Sequence, residues 1–310
     1  MALALIIGGK GKVGSYLAPL LGAEGFELIN VSRGKTGPVL ADPVWEKVRQ
    51  INLDRGGPGF AERIAELKPD IVLDMICFET ADMLALVEAL RGRVSHYLVT
   101  GSMWMHGPGT ELPVAEDEDR EPLEHYGKEK SGMDRAIARE FRAGGFPGTI
   151  VHPGHIVCPA DIPINPQGCK SLEAFRILKN GEPLWLPNFG METLHHVHAA
   201  DVAGVFMAAV KAGKAAYGEG FHAVSPRALS LRGYAAAAAA WYGRKAELRF
   251  EPYDAWKNRV SPGDGEATLT HILHSPSGSM EKAKRLLGFS PAYTSLEAVR
   301  ECLGSFNLDV

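Results

Sequence analysis

A short apolar run, Leu3 to Ile7, meets Gly8-Gly9-Lys10-Gly11-Lys12-Val13-Gly14, and Val13, Leu17, Leu20 and Leu21 then recur at helical spacing. A run apolar at every position reads as a strand buried on both faces, as in a parallel sheet. Glycines at the first, fourth and seventh places of the turn allow close approach to the main chain. The opening N–H groups of the following helix have no partners within it. Strand, glycine turn and helix start, in that order, predict a pyrophosphate site and hence a bound dinucleotide.

The following segments keep the alternation. Phe26–Val31, Val48–Leu53, Ile71–Cys77 and Tyr97–Thr100 read as strands, with helices over Phe60–Leu67 and Met83–Leu90. This predicts an α/β, doubly wound parallel sheet with its ligands at the carboxyl ends of the strands. An NAD site usually has a carboxylate after the second strand; here Ser32, Arg33 and then Lys35 follow. A carboxylate would repel a 2′-phosphate, whereas Arg grips one with two parallel bonds, so NADP is preferred, with NAD possible. Arg33 stacking on the adenine face is the alternative, which either cofactor permits.

Tyr126 and Lys130 lie one helical turn apart and share a face. A phenol is too weak an acid to serve as a base at neutral pH, and a nearby ammonium favours its ionised form. The pair is therefore expected to move a proton to or from a hydroxyl or carbonyl. The 310 residues carry a formal net charge of −4, which argues against a broad nucleic-acid or anionic-lipid surface. No apolar run suits a membrane span, and the opening residues lack a signal peptide's basic flank. Cys77, Cys158, Cys169 and Cys302 have no C-x-x-C spacing and read as buried free thiols in a reducing cytoplasm.

In order and spacing, several motifs resemble the extended short-chain dehydrogenase/reductases, the NAD-dependent epimerase/dehydratase superfamily. They are the glycine turn, Thr100-Gly101-Ser102-Met103-Trp104-Met105-His106-Gly107, the acidic turn Pro113 to Asp119, Tyr126-x-x-x-Lys130, Phe146 to His155, Val197 to Ala203, and Met280 to Phe289. The resemblance implies a Rossmann-type nucleotide domain over 1–158, to which 190–225 returns, and a smaller, mainly substrate-binding domain over 159–310. It implies that Ser102 bonds the substrate oxygen, that Tyr126 is the acid/base, and that Lys130 lowers the tyrosine pKa and binds the nicotinamide ribose. Cofactor contacts are implied at Gly8, Lys10, Gly11, Lys12, Val13, Gly14, Ser32 and Arg33. Others are implied at Asn52, Leu53, Met75, Ile76, Cys77, Thr100, Pro153 and His155. Asn52 stands where an Asp often meets the adenine, and its amide oxygen accepts the same bond. Substrate contacts are expected from Ser102, Met103, Trp104 and His155. A homodimer is common in the resembling proteins.

The departures narrow the chemistry. Where the resembling dehydratases carry an acidic pair after the Ser/Thr, this chain has Met103 and Trp104, which exchange no proton. The diphosphate-clamping arginines of UDP-sugar epimerases are replaced or out of register: one place holds Leu194, and Arg259 precedes Gly263-Asp264 at the wrong spacing. Arg227, Arg249 and Arg259 read as surface residues with ion-pair partners, with another anionic substrate group as the alternative. Asp74 reads either as a buried acid facing the cofactor or as a capping group. No metal is expected, because His198, from the His195–His198 run, and Asp201 match a recurrent structural segment of the resembling family. Trp104, His106, His155, Trp185 and Trp256 are candidate pocket residues. The reading is an NAD(P)-dependent oxidoreductase transferring hydride at a hydroxyl or keto carbon of a small, possibly sugar-like substrate. One rival is an epimerase holding its cofactor tightly; another is a cofactor-sensing or RNA-binding protein.

Overall fold

The structure is a computed structural model describing residues 1–109, 111–118, 121–159 and 161–308; Asp119, which closes the acidic turn, lies outside the described residues. Seven of its strands form one parallel sheet. They are β1 (Leu3–Ile7), β2 (Glu27–Ser32), β3 (Arg49–Asn52), β4 (Ile71–Asp74), β5 (His96–Thr100), β6 (Gly148–Pro153) and β11 (Glu219–Ala223), in the order β11-β6-β5-β4-β1-β2-β3. The order reverses at β1, between β4 and β2, which is where an open parallel sheet leaves a crevice.

Helices cover both faces. On one, α1 (Lys12–Ala23), α6 (Ala199–Ala212) and α10 (Glu281–Leu287) pack around Leu17, Leu21, Phe206 and Phe221. On the other, α2 (Phe60–Glu66), α3 (Thr80–Leu90) and α4 (His125–Gly144) pack around Ile64, Leu86, Tyr97 and Met133. Leu20, on the apolar period of the first helix, is 38% exposed. The period marks the buried stripe, and Leu20 sits beyond its edge.

The remaining elements form a third core. They are α5 (Glu173–Asn180), β8 (Leu184–Pro187), α7 (Leu231–Trp241), β13 (Leu248–Glu251), α8 (Tyr253–Trp256), α9 (Pro262–His274) and α11 (Ser295–Leu303). β13 pairs with β8 in parallel, and Phe175, Leu184, Tyr234 and Val299 fill the centre. Four small strands stitch this module to the sheet: β7 (His155–Val157) pairs with β10 (His196–His198), and β9 (Thr193–Leu194) pairs with β12 (Leu229–Ser230). Among the described residues no helix is long and apolar enough to cross a membrane.

The fourth strand stops at Asp74 rather than continuing to Cys77. Its carboxylate, fully buried, accepts the Ile76 N–H at 3.2 Å, which turns the chain. It also accepts two bonds from Arg55 Nη1, at 2.8 and 2.7 Å, and one from the Tyr97 hydroxyl at 3.3 Å. Asp74 is therefore a paired structural acid under the strand ends. Arg55→Met should leave that carboxylate buried and unpaired and cost about 3–5 kcal/mol in denaturant unfolding; a loss below about 1 kcal/mol would contradict this pairing.

Candidate functional site

Two cavities open at the carboxyl ends of the strands and share Phe78. The first lies over the glycine turn and the end of β2. Gly8 takes a left-handed φ of +78°, and a Cβ there would lie 2.7 Å from Ile76. A Cβ at Gly14 would collide with the Gly9 carbonyl, so glycine lets α1 start directly against the turn. Gly11 precedes α1 with no side-chain cap, leaving the helix N-terminus open to an anion. Gly8, Lys10, Gly11, Ser32, Arg33, Lys35, Leu53 and Ile76 line this cavity. Among the described residues, no carboxylate forms an ion pair with Lys10, Arg33 or Lys35. Asn52 is exposed outside the lining, against Gly34. Val13 and Gly14 are buried beside the turn, outside both linings.

The second cavity, about 410 Å³, is lined by Ser102, Met103, Trp104, Tyr126 and Lys130, together with Lys12, Met75, Thr100, Pro153 and His155. The polar residues Ser102, Tyr126 and Lys130 come from two elements. Ser102 follows β5 and caps the turn Met103–Met105 by accepting the Trp104 N–H at 3.1 Å. Tyr126 and Lys130 sit in the first two turns of α4, and Gly127 between them lets the helix press on the Trp104 carbonyl, where a Cβ would clash. The Trp104 ring stands edge-on to Tyr126, with centroids 6.0 Å apart.

Lys130 is 1% exposed, and its ammonium donates to the carbonyls of Cys77 at 2.6 Å and Thr100 at 2.7 Å. Burial pulls its pKa down to about 8. Its nitrogen lies 5.6 Å from the Tyr126 ring centre. Burial pushes the phenol up, and the hydrogen-bonded Ser102 hydroxyl pulls the other way. Tyr126 is thus a protonated phenol near neutral pH, suited to donate. Cys77 contributes its carbonyl, while its thiol is buried in the core and pushed up to about 12 by desolvation.

Sequence reading missed the support under Ser102. Its N–H donates to His152 Nδ1 at 3.2 Å, and His152 Nε2 lies 3.0 Å from Asp134 Oδ1. Because Nδ1 accepts, Nε2 carries the proton and donates to the carboxylate, which is thereby held below its usual range despite burial. Gly101 and Gly220 leave room for this string, since a Cβ on either would hit His152 or Asp134. Lys12 was expected on the cofactor; it pairs with Asp161, which also takes Lys170 at 3.1 Å.

Other candidates lie away from the cavity. His106 pairs with His222 at 2.9 Å beneath it. Trp185 lies under Arg259, and Trp256 is fully buried, donating to the Trp185 carbonyl at 2.9 Å. Arg249 and Arg259 pair with Glu247 and Glu251. In the histidine run, His195 bonds the Ser225 carbonyl and the Gly278 N–H, His196 the Ile164 carbonyl, and His198 caps α6.

Comparison with known proteins follows this geometry. Residues 4–221 match the NAD-dependent epimerase/dehydratase family. Over 232 residues the chain is 29% identical to 2'-dehydrokanamycin reductase of Streptomyces kanamyceticus, covering 74% of this chain and 63% of that relative's length. It is 25% identical to the chloroplast stem-loop binding protein of 41 kDa b of Arabidopsis thaliana, covering 98% of this chain and 78% of the relative. The dTDP-glucose 4,6-dehydratase of Bacillus anthracis, solved in complex with NAD, superposes with a TM-score of 0.74 over 99% of this chain and 96% of that one. At 14% identity that likeness concerns the fold.

His152→Leu should strand the Ser102 N–H and the Asp134 carboxylate together, costing about 2–4 kcal/mol in urea unfolding. A loss under about 0.5 kcal/mol would mean that the string does not hold the Ser102 turn.

Proposed function

The chain belongs to the NAD-dependent epimerase/dehydratase family, and from that premise we propose that it is an NADP-preferring oxidoreductase that reduces a ketone, or oxidises the matching alcohol, on a small molecule. One observation carries the reading. Ser102, Tyr126 and Lys130 line a single cavity that meets the glycine-turn cavity at Phe78. The residues present suit such a cofactor: an uncapped helix start faces the glycine turn, and Lys10, Arg33 and Lys35 line the far cavity without ion-pair partners among the described residues. These three cations, in the same lining as Ser32, favour a 2′-phosphate over a bare ribose. The segment 159–310 supplies much of the outer wall, through Ile162, Pro163, Ile164 and His271.

When bound, the nicotinamide supplies or takes up the hydride. The protein's own residues manage the proton. Ser102 and Tyr126 hold the substrate oxygen, and Tyr126 donates its proton as that oxygen gains charge. The Lys130 ammonium, fixed by two carbonyls, stabilises the phenolate left behind. Met103 and Trp104 offer no acid for expelling a hydroxyl, which weighs against dehydration. The likeness to a stem-loop binding protein favours a second reading, RNA binding, which the net charge of −4 opposes. RNA titrations across salt concentrations separate the two.

Tyr126→Phe should lower ketone-dependent consumption of reduced cofactor by about 10²–10⁴-fold while cofactor binding persists. Wild-type turnover would sink the assignment. Reduction kcat/KM should decline as pH rises through about 8, where Lys130 loses its proton, and Lys130→Met should flatten that limb. Arg33→Ala should weaken NADPH about tenfold or more relative to NADH in equilibrium titrations. Equal losses for both would refute the phosphate grip.

A further inference from the structure

The reductase reading leaves the substrate's chemistry open, and the wall opposite Tyr126 narrows it. His155, at the start of β7, lines the catalytic cavity with both ring nitrogens buried and without a hydrogen-bond partner among the described residues. Such a group is costly unless a ligand completes it. The ring is held in place by edge contacts, with centroids 6.4 Å from Trp104, 5.8 Å from His196 and 5.1 Å from His271. Trp104 is itself fixed by stacking on His274 at 4.1 Å. Burial, reinforced by the neighbouring imidazoles, holds the His155 pKa well below its usual value. The ring is therefore neutral, with one donor and one acceptor.

The charges around it point the same way. Among the described residues no Asp or Glu lines this cavity, and Lys12 and Lys170 at its edge share Asp161. An ammonium on the substrate would be desolvated with no carboxylate to meet it. Much of the rest is apolar, from Met75, Phe78, Met103, Ile156 and Ile164. The volume of about 410 Å³ must also admit the nicotinamide.

We propose that His155 determines specificity: it hydrogen-bonds a second hydroxyl on the substrate ring and selects an uncharged, one-ring polyhydroxy ketone or alcohol over an amino-substituted one. A hydroxyl can either accept from the ring N–H or donate to the bare nitrogen, so it can complete whichever imidazole atom it reaches. This rests on the reductase reading for the place of the reacting carbon at Ser102 and Tyr126.

The test is equilibrium binding to the full-length, NADP-loaded protein, read by calorimetry and tryptophan fluorescence. The probes are cyclohexanol, the isomeric cyclohexanediols and the matching aminocyclohexanols. At least one diol should bind about tenfold more tightly than cyclohexanol, the value of one buried hydrogen bond, and no ammonium compound should match it. His155→Phe should bring diol and monoalcohol within about twofold of each other, and His155→Asn, which keeps a donor and an acceptor, should recover part of the gap. Equal binding of diol and monoalcohol, tightest binding of an ammonium compound, a diol advantage that survives in His155→Phe, or no binding by any probe each overturns the proposal. Binding needs no turnover, so the two readings fail separately. A diol preference without ketone reduction strikes only the redox reading, and reduction without a diol preference strikes only this one.

Discussion

A buried ammonium fixes the geometry on which the rest depends. Lys130 gives up water and in exchange donates two short charge-assisted bonds to carbonyls just beyond β4 and at the end of β5. The carbonyls it meets belong to the same strand ends that frame the cavities, so the bond clamps α4 to the carboxyl edge of the sheet. Tyr126, one turn earlier on the same face, is carried to the Ser102 turn by that clamp. The incomplete exchange for water is visible in the depressed pKa.

Around the clamp, the fold uses glycine where main chains must approach and buried carboxylates with fixed partners where strands must end. Gly14 brings α1 against the first turn, and Gly127 brings α4 against Trp104. Asp74 with Arg55 closes the fourth strand, and Asp134 with His152 braces the fifth. Each pair takes charge or polarity out of water beside a cavity, where a rigid frame matters more than net stability. The consequence is a site whose polar groups come from strand ends, a short turn and one long helix, none of them on a freely moving loop.

Much of this was legible in the sequence because the signals are local. An apolar run, a glycine turn and a helical period adjoin one another at Leu3 to Leu21, and the doubly wound sheet follows from the same alternation further on. Tyr126 and Lys130 share a face by helical spacing alone. What escaped reading depends on partners distant in sequence. Asp74 was ambiguous until Arg55 was seen against it, and the strand stops there because a side chain captures a backbone N–H. His152 and Asp134 look unremarkable in the chain and meet only across a strand and a helix. The two carbonyls that hold Lys130 lie just beyond β4 and at the end of β5 and leave no signal beside it in the chain. The aromatic residues of the C-terminal part gave no periodic signal to separate cavity from core, and only Trp104 of the three candidate tryptophans reaches the cavity.

The most direct measurement is a crystal structure of the protein with NADPH bound. The account predicts the pyrophosphate on the Gly8–Gly14 turn, the nicotinamide in the cavity between Tyr126 and Pro153, and a ribose hydroxyl within hydrogen-bonding distance of Lys130. A cofactor seated elsewhere, or a nicotinamide turned away from Tyr126, would contradict it.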